Sequence, residues 1–107
     1  MLFSGPFYAY VTYHSRNRLW IRDRHTAPEE FPEANSTKFK NALKRNHEKC
    51  LILKKREIEF YYPENIHIKA QNGDKNKEKA VLEILKGDQS ESFDNLAKKS
   101  NCESRLP

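Results

Sequence analysis

The sequence has little glycine, little cysteine and no long hydrophobic run. Its three glycines stand alone among 107 residues, so the glycine-rich loops that cradle phosphates in P-loop and dinucleotide-binding proteins are excluded. The two cysteines, Cys50 and Cys102, form no C-x-x-C motif, which favours two free thiols in a reducing, cytoplasmic compartment. No apolar stretch approaches the roughly 20 residues of a membrane span, so no membrane association is expected.

The composition that remains is charged and only weakly apolar. Hydrophobic residues make up 36% and charged residues 33% of the chain, against about 45–50% and about 25% in a typical globular domain. A thin core is therefore expected, which argues against two domains or a self-contained catalytic barrel. The net charge is +5, and residues 80–107 contribute none of the basic excess. An aromatic content of 11% argues against full disorder.

Local patterns predict a small α/β fold. The predicted strands are residues 7–13, 18–22 and 50–53, the last as a buried parallel strand, and the predicted helices are residues 35–46, 91–99 and one capped by Asp74. Asn35 or Ser36 is the expected cap of the first helix. The helix capped by Asp74 is expected to end at Lys86-Gly87. This order predicts a sheet of about three strands with helices packed on it. We expect one domain over residues 1–99 and a flexible tail over residues 100–107.

Acidic residues follow two of the predicted strands. Asp23 comes directly after the second strand, and Glu57 and Glu59 come shortly after the third. Ligands of open α/β sheets bind beyond the carboxyl ends of the strands, and carboxylates suit Mg²⁺ or Mn²⁺ bound for phosphate chemistry. His25 is a further candidate metal ligand or proton carrier. The alternative is that these acids only pair with basic neighbours on a wet surface.

Basic residues flank the acids at both strand ends. They fit the phosphates of a nucleic acid, DNA in the first place, whose charge they neutralise. The alternative is ordinary solvated charge. The candidate phosphate-binding residues are Arg22, Arg24, Lys54, Lys55 and Arg56.

The run from Leu51 to Pro63, LILKKREIEFYYP, resembles a segment of the Toprim domain in the overcoming-lysogenization-defect family. Those proteins join an ABC-type ATPase to a C-terminal Toprim nuclease and act in phage defence. The segment from Leu19 to His25 is similar to the family's Asp-x-Asp motif after an upstream strand, and the helix between the two motifs fits the crossover. The similarity covers roughly residues 18–87.

The resemblance implies the second half of a doubly wound Toprim sheet and Mg²⁺-dependent cleavage of DNA by two metal ions. Asp23 matches the first aspartate of Asp-x-Asp, and Glu57 or Glu59 matches the later metal-proximal glutamate. His25 stands where the second aspartate belongs. Residues 1–22 contain no acid that matches the family's first catalytic glutamate. An ATPase domain or chain that supplies the missing Toprim half is thus an implied partner.

Three hypotheses follow from the sequence. The first is a Toprim-like, metal-dependent nuclease fragment that is incomplete alone. The second is a non-catalytic basic module that binds nucleic acid or a partner protein. The third is a remnant with no activity of its own.

Overall fold

A computed structural model describes the backbone of residues 8–13 and 17–106, and the side chains from residue 18 to residue 106. Within these ranges the strands are β1 (Tyr8–Tyr13), β2 (Asn17–Arg22) and β3 (Lys49–Ile52), and the helices are α1 (Ala34–Arg45), α2 (Glu64–Ala70), α3 (Lys75–Lys86) and α4 (Phe93–Lys99). A 3₁₀ turn covers Ile58–Tyr61. The predicted α/β class is confirmed, whereas Phe7, the first residue of the predicted first strand, lies outside the described residues. No helix in the described ranges is long and apolar enough to span a bilayer.

The three strands form one mixed sheet in the order β1-β2-β3. β1 and β2 are antiparallel, and β2 and β3 are parallel, with Leu19 opposite Lys49 and Arg22 opposite Ile52. A parallel pair needs a crossover connection, and α1, which packs on β3, provides it. The carboxyl ends of β2 and β3 consequently meet at one edge, where the Leu53 amide donates to the Arg22 carbonyl at 2.9 Å.

The prediction that β3 is a parallel strand is confirmed, whereas the prediction that it is buried is wrong. Leu51 is 50% exposed, although Trp20 on the neighbouring strand is fully buried. β3 lies at the edge of the described sheet, and α1 packs on the face that carries Trp20, whose ring meets Phe39 of α1 edge-on at 6.0 Å between centroids. An edge strand with one covered face has alternating burial, so its continuous apolar run was a misleading signal.

The predicted cap of α1 is also wrong. The helix begins at Ala34, and Glu33 occupies the N-cap position without a side-chain hydrogen bond to the helix. Ser36 lies inside the first turn, where it is fully buried and its Oγ donates to the Asp23 carbonyl at 2.8 Å. Ser36 therefore joins α1 to the residue after β2 by a hydrogen bond and does not cap the helix.

The helices carry a second core, the helical cluster, separate from the sheet. Its buried members are Phe60, Val81, Ile84, Phe93 and Ala97. Phe60 meets Phe93 edge-on at 5.7 Å between ring centroids, a preferred geometry of aromatic pairs. The thin core expected from the composition is thus divided between two small units.

Side-chain caps explain where two of these helices begin. Asp74 caps α3 as predicted, and its carboxylate accepts from the amides of Asn76 and Lys77. Ser92 caps α4 and accepts from the Asn95 amide, so this helix begins at Phe93 rather than at residue 91. Gly87 follows α3 with a φ of −75°, so it does not use the left-handed conformation that makes glycine favourable after helices.

Residues 100–106 lie against the helices. The buried Gln71 side chain accepts from the Glu103 amide at 2.9 Å and donates to the Glu103 carbonyl at 3.0 Å. The Cys102 amide donates to the Ala97 carbonyl at 2.8 Å. These contacts place the segment, whereas the flexibility expected of residues 100–107 is a matter of dynamics and stays a prediction.

Candidate functional site at the strand ends

Asp23 is the first residue after β2 and is almost fully buried, with 2% of its surface exposed. Its Oδ1 accepts from the Ile58 amide at 3.1 Å, whereas Oδ2 is buried and has no hydrogen-bond partner among the described residues. Desolvation, assisted by the charges of Glu59 and Glu57, raises the pKa of Asp23 from its ordinary 3.8 to about 7 against the opposing bond from Ile58. The carboxyl therefore keeps its proton to a higher pH than an exposed aspartate does.

Glu57 is also buried, but its carboxylate is engaged in the fold. Its Oε1 accepts from the amide of Phe93, the first residue of α4, at 2.7 Å. Burial raises the pKa of Glu57, and the charge of Glu59 adds to this, whereas the Phe93 bond opposes it. Glu57 thus joins the segment after β3 to the helical cluster by a charge-assisted hydrogen bond.

Glu59 lies on the 3₁₀ turn that begins one residue after Glu57. Its Oε1 is buried and, like Oδ2 of Asp23, lacks a hydrogen-bond partner within the described part of the chain. Its charge is one of the causes that raise the pKa of Asp23. Two carboxylate oxygens at this edge of the sheet are therefore buried and unsatisfied.

His25 follows Asp23 in a left-handed conformation, with a φ of 61°. This is uncommon outside glycine, although histidine tolerates it better than most residues. The conformation lets the amides of Arg24 and His25 both donate to the Arg56 carbonyl, each at 3.0 Å. Burial and then the charge of Arg22 lower the pKa of His25. The imidazole is neutral at pH 7, the form that binds metals.

The four predicted metal ligands lie in the segments that follow β2 and β3. Electrostatic interactions link Asp23 to Glu57 and Glu59, and His25 to Glu59. Nevertheless, no group of three or more His, Cys, Asp or Glu residues in the described ranges is arranged to hold a metal ion. Mg²⁺ is often held by only one or two carboxylates, with waters and substrate phosphates as its other ligands. The unsatisfied oxygens of Asp23 and Glu59 fit such a partial ligand set.

An open groove of about 630 Å³ begins at Glu59. Its other walls are formed by Tyr62, Phe93, Asp94 and residues 104–106. Glu59 lines this groove, whereas Asp23 and Glu57 do not.

The three predicted phosphate-binding arginines make contacts within the fold. Arg24 donates to the carbonyls of Leu53 at 3.2 Å and Glu30 at 2.9 Å. Arg56 donates through Nη1 to the Gln89 carbonyl at 3.2 Å. The Arg22 guanidinium lies over the ring of Phe39, 5.2 Å from its centroid. These arginines hold the strand ends in place, and their charge contributes to the field around the acids.

The two lysines are more available. Lys54 and Lys55 are exposed, in the turn that follows β3. The Lys55 ammonium donates to the Phe60 carbonyl at 3.2 Å and lies 5.1 Å from the centroid of the Tyr61 ring. Of the five predicted basic residues, these two are the best placed to meet a phosphate from solvent.

Two residues of this region were missed by the sequence analysis. The Tyr61 hydroxyl accepts from the amides of Lys54 and Lys55, at 3.0 Å each. The buried Gln89 side chain accepts from the Arg56 amide at 2.8 Å across 33 positions of sequence. No local pattern in the sequence predicts either contact. For Tyr61, the nearest signal was the pair of adjacent tyrosines that follows Glu57 and Glu59.

Comparisons with protein-family models, with curated proteins and with solved structures found no match for this chain. The Toprim resemblance therefore depends on the two quoted motifs alone. What the site can do follows from its acids, its lysines and the edge of the sheet on which they lie.

Proposed function

We propose that this chain is a Toprim-like nuclease fragment, incomplete alone, in which Asp23 and Glu59 provide two ligands for a divalent cation. The observation that carries the proposal is the pair of buried, unsatisfied carboxylate oxygens beyond the carboxyl ends of two parallel strands. Ligands of open α/β sheets bind at this edge. The resemblance of the two motifs points to the same residues and to Mg²⁺ or Mn²⁺.

The energetics of burial support a cation here. A buried polar atom without a partner destabilises the fold, and two nearby carboxylates also repel each other. Such groups are rare in folded proteins, and each one calls for an explanation. A divalent cation that accepts both oxygens as ligands removes the repulsion and compensates the lost hydration.

The basic turn after β3 supplies the other half of the proposed site. Lys54 and Lys55 neutralise phosphates of a DNA strand and hold them near the acids. A divalent cation, when bound, stabilises the charge that develops on a phosphodiester during cleavage. No acid precedes Asp23 in the sequence, so a complete catalytic site needs a further carboxylate from another segment or chain, such as one joined to an ATPase.

Titration with Mg²⁺ or Mn²⁺ at pH 8 is expected to move the amide resonances of Asp23, Ile58 and Glu59. Asp23→Asn and Glu59→Gln each remove one charged ligand, so either variant is expected to weaken binding at least tenfold. Glu64→Gln, an exposed carboxylate at the start of α2, is the matched control and is expected to titrate like the parent. NMR spectra recorded along the titration measure all four proteins.

The same proposal has two contrary outcomes. Unmoved resonances at Asp23 and Glu59 in saturating Mn²⁺ would contradict the cation site. Plasmid cleavage that continues unchanged in a chelator would contradict metal-dependent hydrolysis. Chelator-sensitive nicking that appears only after a partner supplies the missing half is the result we expect.

A non-catalytic basic module is the second candidate. It is favoured by the engagement of Glu57 with Phe93 and by the failure of three donors to converge within the described residues. In this case DNA binding depends on charge alone and persists in a chelator.

For this second candidate, DNA affinity is expected to fall steeply with salt. Replacing Lys54 and Lys55 by Ala is expected to reduce the slope of log K against log salt by about 2, close to one for each lost phosphate contact. Lys79→Ala on α3 is the control for general charge. Fluorescence anisotropy with a labelled duplex over a range of salt concentrations is the measurement, and a slope unaffected by the double substitution would exclude this binding face.

A further inference from the structure

The turn after β3 directs two consecutive backbone donors at one oxygen. The amides of Lys54 and Lys55 both lie 3.0 Å from the Tyr61 hydroxyl oxygen. Successive N–H groups that converge in this way form a concave site that favours an anion. Here the acceptor is a neutral phenol, a weaker partner than a charged oxygen.

We propose that the Lys54–Lys55 turn is a phosphate-binding site whose position is held by the Tyr61 hydroxyl until a nucleic-acid phosphate displaces it. The ligand is a phosphate of the nucleic-acid backbone, and it takes the place of the phenol oxygen between the two amides. The Tyr61 hydroxyl thus competes with the phosphate for the two amides. The identity of the ligand rests on the proposed function, whereas the anion site itself does not depend on a metal.

The surroundings of the two amides favour an anion over the phenol. Lys54 and Lys55 carry the two donors and also place two ammonium groups on the exposed turn. The Lys55 ammonium lies on the same side as Tyr61, 5.1 Å from its ring centroid. The same ammonium donates to the Phe60 carbonyl at 3.2 Å, and its positive charge favours an anion at the turn.

Tyr61 is the more exposed of two adjacent aromatic residues. It is 42% exposed, whereas its neighbour Phe60 is 4% exposed and anchored in the helical cluster. We therefore expect the Tyr61 ring to be able to rotate toward solvent without displacing Phe60. The turn follows β3, whose carboxyl end lies beside that of β2, the strand that Asp23 follows.

The test uses inorganic phosphate and then a short oligonucleotide, both in the presence of a chelator. Titration with either probe is expected to shift the amide resonances of Lys54 and Lys55 and the ring resonances of Tyr61. Tyr61→Phe removes the competing acceptor of two amides, so it is expected to tighten binding of both probes about fivefold to hundredfold, the equivalent of two ordinary hydrogen bonds. Tyr62→Phe, equally exposed at 42%, is the matched control and is expected to bind as the parent does.

Several results would overturn the inference. They are the absence of shifts at Lys54 and Lys55 with both probes, and unchanged or weaker binding by Tyr61→Phe. Binding of free phosphate without binding of the oligonucleotide would reduce the turn to a small-anion site and overturn the assigned ligand. If Tyr61→Phe does not fold, the ring and amide shifts of the parent protein still decide between displacement and no displacement. If these tests fail but Mn²⁺ still binds at Asp23, the phosphate site is excluded and the proposed function stands.

Discussion

Replacing Asp23 by Asn is expected to stabilise the protein above neutral pH and to remove much of its pH dependence. The pKa of Asp23 rises from 3.8 to about 7 on folding, so between these values the folded state keeps a proton that the unfolded state releases. The contribution of Asp23 to the free energy of unfolding therefore falls as pH increases from about 4 to about 7 and is constant above this range. A shift of this size corresponds to up to about 4 kcal/mol. The amide oxygen of the substituted side chain can still accept from Ile58, and its NH₂ group replaces the unsatisfied oxygen.

Urea denaturation at pH 5 and pH 8 measures this effect. The parent is expected to be less stable at pH 8 than at pH 5, and Asp23→Asn is expected to lose most of that difference. Glu64→Gln controls for the loss of an exposed carboxylate. Equal stability of the parent at both pH values, or a variant that is less stable than the parent at pH 8, would show that the buried carboxylate is not the source of strain. Binding of the proposed cation at pH 8 should likewise stabilise the parent. It should not stabilise Asp23→Asn, which lacks the charged ligand.

Replacing Phe93 by Ala is expected to destabilise the fold by about 3–5 kcal/mol, the usual cost of emptying a buried aromatic position. Phe93 is 1% exposed, and its ring contacts Phe60 and His67, at centroid distances of 5.7 and 4.9 Å. A chain with two small cores has little stability to spare, since domains of this size unfold with about 5–15 kcal/mol. We therefore expect Phe93→Ala to be largely unfolded at 37 °C.

Phe31→Ala is the matched control for this second prediction. Phe31 is 93% exposed, so its truncation is expected to change the free energy of unfolding by less than about 0.5 kcal/mol. Thermal and urea unfolding followed by circular dichroism compare the two variants. A small effect at Phe93 would mean that the helical cluster contributes little to the fold.

The features that the sequence predicted well are local or follow from a general rule of sheet topology. The strand patterns around Tyr10 and Leu19 and the cap at Asp74 need only a few neighbouring residues. The approach of Asp23 to Glu57 and Glu59 follows because the carboxyl ends of parallel strands share an edge. These signals placed the acids after neighbouring strands, whereas a metal site formed by these acids stays a prediction.

The features that were missed depend on contacts between distant residues or on short elements. α2 has only seven residues, too few for a clear apolar stripe. The burial of Ser36 under Asp23 could not be separated from an ordinary helix cap by composition. The engagement of Glu57 with Phe93 spans 36 positions, and no local pattern distinguishes such a carboxylate from a free metal ligand.

The buried carboxylates also join parts of the chain that are distant in sequence. The bonds from Ile58 to Asp23 and from Phe93 to Glu57 close loops of 35 and 36 residues, between the sheet and the helical cluster. Loop closure over such distances is entropically unfavourable, so contacts of this kind form after the local helices and turns. We therefore expect the acids to reach their final geometry late in folding. On this argument, assembly of the candidate site belongs to the same stage as the docking of the helical cluster on the sheet.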